Sequence, residues 1–209
     1  MTTKEEMIEI HLKGRDIHDP NVLRAMKEVN RKLFVPEDLE ERAYEDNPLP
    51  IGKSQTISQP YIVAYMAQAL DLEGDEKVLE IGTGCGYNAA ILSRLARKVY
   101  SVEIIEWLAN LAKENLSKTD IENIETRFGD GYDGWPEEGP FDAIELTAAP
   151  PKIPETLKKQ LKIGGKLLAP VGTLSQKLVL IERLGEDQFK EETLLMVSFV
   201  PMTGQAQNV

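Results

Sequence analysis

The part of this chain best suited to chemistry is a run of glycines after a short apolar stretch, Val78-Leu79-Glu80-Ile81-Gly82-Thr83-Gly84-Cys85-Gly86-Tyr87. Glycine lets the backbone turn sharply and approach a ligand closely. The helical pattern that follows would present unpaired backbone N–H groups to the bound molecule. The run therefore predicts a nucleotide-binding loop, with contacts from Gly82, Thr83, Gly84 and Gly86.

Carboxylates and small residues follow three further apolar runs, at Glu103, at Gly129-Asp130-Gly131 and at Thr147-Ala148-Ala149. In an open parallel sheet the carboxyl ends of the strands share one edge, and ligands bind there where the strand order reverses. Taken singly, Glu103 fits an ordinary strand-end carboxylate and Asp130 fits a turn residue. Their placement at consecutive strand ends favours cofactor contacts from Glu103, Asp130 and Gly131.

Two cofactors fit this loop on spacing alone. Gly84-x-Gly86-x-x-Ala89 satisfies a loose dinucleotide pattern, and Glu103 lies near the distance at which a carboxylate holds the ribose of NAD. A stricter match starts at Gly82, directly after the strand, and would need glycine or alanine at Tyr87. S-adenosylmethionine fits better because it has no pyrophosphate, and Glu80 is then expected to face its ammonium-bearing portion.

The composition indicates one acidic domain. The chain has 209 residues, and 35 Asp and Glu against 24 Lys and Arg give a formal charge of -11. Nucleic acid is not expected as a partner, because phosphate contacts need a cationic surface. The N-terminus lacks the apolar core of a signal peptide, and no apolar run approaches the roughly 20 residues of a membrane span. We therefore expect a cytoplasmic protein, and the acidic balance is consistent with a monomer.

Cysteine and histidine are scarce. Cys85 is the one cysteine, and the two histidines, His11 and His18, lie near the N-terminus. Neither histidine has a partner at metal-ligand spacing, so no metal site is expected. With no histidine nearby in sequence, Cys85 is interpreted as a small residue that fills a tight loop rather than as a nucleophile.

The elements that must position these residues fall into two parts. Residues 1–76 combine helical spacing with a proline-rich loop, and Asp19-Pro20 and Ser58-Gln59-Pro60 each begin a helix. Residues 77–209 alternate strands and helices, which predicts a doubly wound, mostly parallel α/β sheet. The last two strands leave no room for a helix between them, so we expect an antiparallel hairpin at the sheet edge. The seven predicted strands span 78–81, 99–103, 124–128, 141–146, 166–170, 177–182 and 194–200.

A specific motif lies in the first part, Pro50-Ile51-Gly52-Lys53-Ser54-Gln55-Thr56-Ile57-Ser58-Gln59-Pro60. Together with Leu33-Phe34-Val35-Pro36, the glycine loop and Phe199-Val200-Pro201, it resembles the protein-L-isoaspartate O-methyltransferase family over most of the chain. The resemblance implies the fold of class I S-adenosylmethionine-dependent methyltransferases. It also implies methyl transfer from that cofactor to isoaspartyl residues of damaged proteins and peptides, with S-adenosylhomocysteine as product.

Carried over position by position, the resemblance makes Ser58 the catalytic residue. It implies cofactor contacts from residues in and around the glycine loop: Ile57, Gly82, Glu103, Ile104, Asp130, Gly131 and Thr203. Ser58-Gln59-Pro60 also suits a helix N-cap, which would occupy the Ser58 hydroxyl. The chain departs from the family at Lys53-Ser54, where His-Gly is common, and at Cys85, where serine is usual. Glu145 is a third departure, because it puts a charge in a strand expected to be buried on both faces.

Two other functions use the same glycine loop. A nucleic-acid methyltransferase is one, since Ala149-Pro150-Pro151-Lys152 resembles the Asn/Asp-Pro-Pro-aromatic loop of amino-group methyltransferases. Both the polar and the aromatic ends of that loop are missing here, and the chain is acidic. A non-enzymatic protein that binds S-adenosylmethionine is the other, but it has no need of the Ile57-Ser58 segment.

Overall fold

A computed structural model describes residues 2–208, which are built around one seven-stranded sheet. The strand order is β5-β4-β3-β6-β7-β8-β9, and it reverses between β3 and β6. Strands β3 to β7 run parallel, and β8 and β9 are antiparallel. The doubly wound, mostly parallel α/β fold and its antiparallel C-terminal hairpin are confirmed. The strands are β3 Lys77–Ile81, β4 Lys98–Glu103, β5 Ile124–Phe128, β6 Phe141–Leu146, β7 Leu161–Val171, β8 Gln176–Arg183 and β9 Phe189–Val197.

Both faces of the sheet are buried by helices and loops. On one face, Val78, Val99 and Ala143 pack in a core with α3 and α4. On the other face, Leu79 and Ile144 pack with Leu157 of α6 and with Met202 near the C-terminus. The helices are α1 Lys4–Glu6, α2 Pro20–Glu28, α3 Pro60–Leu70, α4 Tyr87–Ser93, α5 Glu106–Ser117 and α6 Glu155–Lys159. None of the helices in residues 2–208 is long and apolar enough to cross a membrane.

Two strands differ from their predicted bounds. β7 begins at Leu161 instead of 166, because Leu161 pairs with Phe141 before an irregularity in the ladder. β9 is Phe189–Val197 rather than 194–200, and its residues 190–193 are polar and exposed. An edge strand tolerates such residues because one side of it faces solvent, so the apolar pattern marks only its second half.

The N-terminal part contains a small hairpin that was predicted as a loop. β1, Leu49–Gly52, pairs antiparallel with β2, Gln55–Ile57. The two turn residues, Lys53 and Ser54, have φ of 53° and 57°, as a type I′ turn requires. The sequence did not predict this hairpin, because positions 48 and 50 are prolines and the turn itself contains no glycine.

Helix α2 follows the predicted capping chemistry. Asp19 caps α2 by accepting from the N–H groups of Asn21 and Val22, and Pro20 occupies the first turn. Residues of α2 and α3 share one hydrophobic core with strands of the sheet. The division of the chain at residues 76 and 77 stays a prediction.

Candidate active site

A cleft lies at the carboxyl ends of β3, β4 and β6, where the strand order reverses. It encloses about 810 Å³ when the solvent space of its open mouth is included. The segment before α3 forms one wall, and the C-terminal segment around Met202 forms another. That C-terminal segment is fixed by backbone hydrogen bonds on both sides of Ala149, to Val200 and Met202.

Nine of the twelve residues predicted for the site line this cleft, and three do not. The sequence had placed them on separate strand ends and in a distant loop, and the fold brings the nine together. Their contact with a cofactor stays a prediction. The nine are Ile57, Ser58, Gly82, Thr83, Gly84, Glu103, Ile104, Gly131 and Thr203; the three are Glu80, Gly86 and Asp130.

Two glycines keep the floor of the cleft open. Gly82 has φ of +102°, and a Cβ there would overlap the Thr147 hydroxyl oxygen. That hydroxyl is held in place because it donates to the carbonyl of Gly82 at 2.6 Å. A Cβ on Gly131 would overlap the Ile81 side chain. Larger residues at either position would therefore push apart the ends of the strands that form the cleft.

Glu103 is the only charged side chain among the described residues that line the cleft. Its carboxylate accepts from the N–H of Gly84 at 2.8 Å and from the N–H of Ile105 at 2.9 Å. Burial raises the pKa of Glu103, and the backbone hydrogen bonds partly oppose that shift. A carboxylate at this strand end suits the hydroxyl pair of a ribose. A pyrophosphate, by contrast, would meet no lysine or arginine there.

The predicted direct contact of Glu80 with the cofactor needs correction. Glu80 is fully buried and is absent from the cleft lining. Its carboxylate accepts from the amide of Asn88 at 2.9 Å and from the hydroxyl of Ser101. Successive side chains of a strand point to opposite faces, so Glu80 points to the same face as Val78, which is covered by α3 and α4. Its side chain is therefore not directed toward the strand end. Burial raises its pKa to about 7.

Asp130 and Gly86 also act beside the cleft rather than in its wall. Asp130 accepts from the N–H of Tyr132 and from the N–H of Gln205, both at 2.9 Å. It therefore ties the C-terminal segment to the end of β5. Gly86 caps α4 with φ of +91°, and a Cβ there would lie 3.2 Å from Leu116 on α5. Both residues thus have a structural role, and their contact with a cofactor stays a prediction.

Ser58 lies in the wall of the cleft with its hydroxyl uncommitted. The N-cap of α3 is Gln59, so the interpretation of Ser58 as the cap is wrong. Among the described residues, no hydrogen bond to the Ser58 hydroxyl is formed, while the Ser58 carbonyl accepts from Arg31 at 2.7 Å. The hydroxyl is consequently available to a substrate.

Arg31 was missed by sequence reasoning. It is fully buried, and its guanidinium donates to the carbonyls of Ala43 and Ser58 at 2.8 and 2.7 Å. The guanidinium also lies 4.7 Å from the ring centroid of Tyr87, which lines the cleft. Arg31 thus fixes the backbone at Ser58. The available signal was its place two residues before Leu33-Phe34-Val35-Pro36.

A groove of about 1080 Å³ joins the cleft from the side of β9. The cleft and the groove share four residues, namely Thr56, Ser58, Thr147 and Val200. The outer walls of the groove come from the proline-rich segment and from β9 and the residues after it.

Cys85 and the acidic residues offer no additional chemistry in the cleft. Burial raises the pKa of the Cys85 thiol to about 11, so it is not a ready nucleophile. Within residues 2–208, no group of three or more His, Cys, Asp or Glu side chains is arranged to hold a metal ion.

Comparison with known sequences places the whole described chain in one family. The family model for protein-L-isoaspartate(D-aspartate) O-methyltransferase matches residues 2–207. A protein-L-isoaspartate O-methyltransferase 2 from Pelobacter propionicus is 52% identical over 203 residues. That alignment covers 96% of this chain and 90% of the relative.

Solved structures agree with the sequence comparison. A protein-L-isoaspartate O-methyltransferase superposes with a TM-score of 0.90 at 31% identity, covering 98% of this chain and 67% of that one. A Plasmodium falciparum protein assigned the same activity, solved in complex with S-adenosyl-L-homocysteine, gives a TM-score of 0.85 at 26% identity. The coverage is 97% of this chain and 99% of that chain. The chain belongs to the protein-L-isoaspartate(D-aspartate) O-methyltransferase family.

Proposed function

We propose that this enzyme transfers a methyl group from S-adenosylmethionine to the free carboxylate of L-isoaspartyl residues in damaged proteins and peptides. The observation that carries the proposal is the junction of two spaces at Ser58 and Thr147. The cleft on one side suits a nucleoside with a cationic tail, and the groove on the other suits an extended peptide. Family membership supplies the substrate class.

The cleft fits S-adenosylmethionine rather than a dinucleotide. Gly82 and Gly131 let the strand ends approach closely at the floor of the cleft, since a Cβ at either position would overlap Thr147 or Ile81. Glu103 would hold the ribose hydroxyls, and Ile104 and Thr203 line the same space. The absence of Lys and Arg from the described lining suits a cofactor that carries a sulfonium and no pyrophosphate.

The reaction needs orientation more than proton transfer. S-adenosylmethionine supplies a methyl group on a sulfonium, which leaves as a neutral thioether when an oxygen takes the methyl. The acceptor carboxylate has an ordinary pKa near 4, so it is already ionised and needs no general base. Positioning of this kind accounts for up to roughly 7–11 kcal/mol of a barrier in intramolecular models.

Ser58 would orient the acceptor. The Thr147 hydroxyl donates to the carbonyls of Ile81 and Gly82, whereas the Ser58 hydroxyl has no hydrogen-bond partner among the described residues. Ser58 can therefore donate to one carboxylate oxygen while the other oxygen attacks the methyl carbon. The resulting ester loses methanol to a succinimide without the enzyme, and hydrolysis returns part of the damaged residue to aspartate.

We also infer a cytoplasmic monomer that acts without nucleic acid. The formal charge of -11 supports the exclusion of nucleic acid, since a negative surface disfavours contact with phosphates, and it is consistent with a monomer.

A labelled-methyl assay tests the proposed function. The enzyme is incubated with methyl-labelled S-adenosylmethionine and, in parallel, an isoaspartyl peptide, the same peptide with normal aspartate, and RNA. We expect label on the isoaspartyl peptide alone, released as volatile methanol at alkaline pH because it is an ester. Label on RNA, base-stable label, or no transfer at all would contradict the proposal.

A further inference from the structure

A row of polar side chains crosses the sheet face that α3 and α4 cover, beneath the glycine loop Gly82–Gly86, which we call the cofactor loop. Ser101 on β4, Glu80 on β3 and Glu145 on β6 occupy matching positions in the strand registers, with Leu168 of β7 beside Glu145. The three polar residues are fully buried. They share this face with apolar residues such as Val78. Two carboxyl groups on adjacent strands therefore sit side by side in an apolar layer.

The two carboxyl groups differ in the number of hydrogen bonds that they accept. Glu80 accepts from Asn88 with one oxygen and from Ser101 with the other. Both oxygens of Glu145 are buried and no hydrogen bond of normal geometry reaches them among the described residues; the nearby Asn88 amide acts on Glu145, but its hydrogen bond goes to Glu80. Donated hydrogen bonds stabilise a carboxylate, whereas burial without donors favours the neutral acid. Glu80 is thus suited to carry the charge, and Glu145 is suited to carry a proton.

The surroundings offer no cation that would let both groups ionise. Glu103, at the end of β4, adds a further negative charge near Glu80, and the Cys85 thiol also lies within the influence of Glu80. From α4 the facing group is the neutral amide of Asn88, and no lysine, arginine or histidine acts on either carboxyl in the described chain. Burial raises the pKa of both, and more so for Glu145. Two such carboxyls retain one proton between them.

The pair is connected to the cleft by two short paths. Asn88, which donates to Glu80, lines the cleft. Ser101 lies 2.6 Å, oxygen to oxygen, from the hydroxyl of Thr83, which also lines the cleft. The position of the Glu80 carboxylate therefore sets the positions of two residues in the cofactor wall.

We propose that Glu145 is a positioning residue for the cofactor loop: its carboxyl group donates a shared proton to Glu80, and the pair so formed holds Asn88 and Thr83 in place. The inference rests on the proposed function in naming the ligand of the cleft. Removal of the shared proton puts two adjacent charges in the apolar layer, which drives Glu80 and its partners apart. Cofactor affinity then falls at alkaline pH.

The sign of the accompanying change in stability follows from the same proton. The pKa of Glu145 is raised from 4.5 to about 8 in the folded protein, so the folded state holds a proton that the unfolded chain releases. Stability from this proton is fully present below pH 4.5 and is lost as pH rises toward and through 8. A glutamine at this position keeps a donor toward Glu80 and does not titrate.

Infrared spectroscopy of the ligand-free enzyme tests the proton directly. Exposed carboxyls are ionised at pH 7 because their pKa values lie near 4. The wild type is expected to show the C=O stretching band of a protonated carboxyl group at that pH, and Glu145→Gln is expected to lack it. Glu191→Gln, which alters an exposed carboxyl on β9, is the matched control and should keep the band. Absence of the band in the wild type, or its survival in Glu145→Gln, overturns the proposal whether or not any cofactor binds.

Calorimetric titration with S-adenosylhomocysteine at pH 6.5 and 9.5 tests the coupling. Affinity of the wild type and of Glu191→Gln should fall roughly fivefold or more relative to that of Glu145→Gln, a typical coupling between linked sites. Titration of the ligand or of Glu103 affects all three proteins alike and cancels in the comparison. Parallel pH profiles for wild type and Glu145→Gln would overturn the positioning role. Failure of all three proteins to bind would also overturn it, and would count against the proposed function as well.

Discussion

The proposed cofactor half and the proposed substrate half of the active site are built in different ways. The cofactor half, comprising Gly82–Gly84, Glu103 and Gly131, consists of turns at the ends of neighbouring strands. The substrate half, comprising Ser58 and residues 49–56 of the β1–β2 hairpin, is a segment that precedes α3. It is fixed by Arg31, whose guanidinium holds the Ser58 carbonyl.

This difference separates two kinds of requirement. The cofactor half needs positions without side chains, because its floor is made where strands approach closely. The substrate half needs a distant cation, because the Ser58 carbonyl lies beyond the β1–β2 pairing and accepts from Arg31. Substitutions should therefore affect the two halves through different observables.

The largest effect is expected from Gly82→Ala. Its φ of +102° disfavours alanine, and the added Cβ overlaps the Thr147 hydroxyl. We expect the free energy of unfolding to fall by about 2–4 kcal/mol and S-adenosylhomocysteine affinity to fall by roughly 100-fold or more, measured by denaturant unfolding and calorimetry.

Gly74→Ala is the matched control. Gly74 has a similar φ of +110°, but no atom lies within 4 Å of an added Cβ. It should show only backbone strain of about 1–2 kcal/mol and an unchanged affinity. Equal losses of affinity in both variants would show that close packing at Gly82 is unimportant.

The next effect in size is expected from Arg31→Met. Methionine fills a similar volume but leaves the carbonyls of Ala43 and Ser58 without a donor, which should lower the free energy of unfolding by about 2–4 kcal/mol. Turnover should fall while cofactor affinity changes by less than about threefold, since the cofactor half is intact. Urea unfolding and steady-state kinetics measure the two effects. Arg24→Met, at an exposed site on α2, should leave both the free energy of unfolding and turnover unchanged. If Arg31→Met behaves the same way, the hydrogen bond from Arg31 to the Ser58 carbonyl is not needed.

Ser58→Ala should act on catalysis alone. The hydroxyl makes no hydrogen bond within the described structure, so its loss should change the free energy of unfolding by less than about 0.5 kcal/mol. Loss of one hydrogen bond to the acceptor should slow methylation roughly tenfold without abolishing it. Single-turnover kinetics give this value, and Ser175→Ala, at an exposed position outside the cleft and the groove, is the control. A covalent serine intermediate found by mass spectrometry would contradict this role.

The smallest effect is expected from Ser54→Gly. Ser54 has φ of 57° in the two-residue hairpin turn, where glycine is preferred. The substitution should raise the free energy of unfolding by up to about 1 kcal/mol. The same change at Ser117, exposed at the end of α5, should lower it by about 0.5–1 kcal/mol. Thermal unfolding distinguishes the two, and destabilisation by Ser54→Gly would mean that the hairpin turn is not strained.

Sequence reasoning succeeded where a residue's role depends on its own neighbours in the chain. Strands β3 to β6 were predicted to within one residue, because buried parallel strands are continuous apolar runs bounded by turns. Asp19 was identified as a cap because capping is local. The polar half of β9 and the hairpin were missed, because an exposed edge and a two-residue turn leave no apolar signature.

Errors at the site share one cause. Glu80 directly precedes Ile81 and the glycine loop, yet strand alternation turns its side chain away from the cleft. Ser58 was compatible with a cap, and Gln59 takes that position instead. Sequence distance identifies which residues are near the site, but the direction of each side chain depends on which face of each element is packed.

The family, the doubly wound sheet and the strand ends that meet at one edge could be read from the amino-acid sequence, since they follow from apolar periodicity and from a specific motif. Three features became known from the folded chain alone: which side chains reach the cleft, the support of Ser58 by Arg31, and the adjacency of Glu80 and Glu145. These contacts join residues far apart in the chain, with 27 positions between Arg31 and Ser58 and 65 between Glu80 and Glu145. No local pattern encodes such contacts.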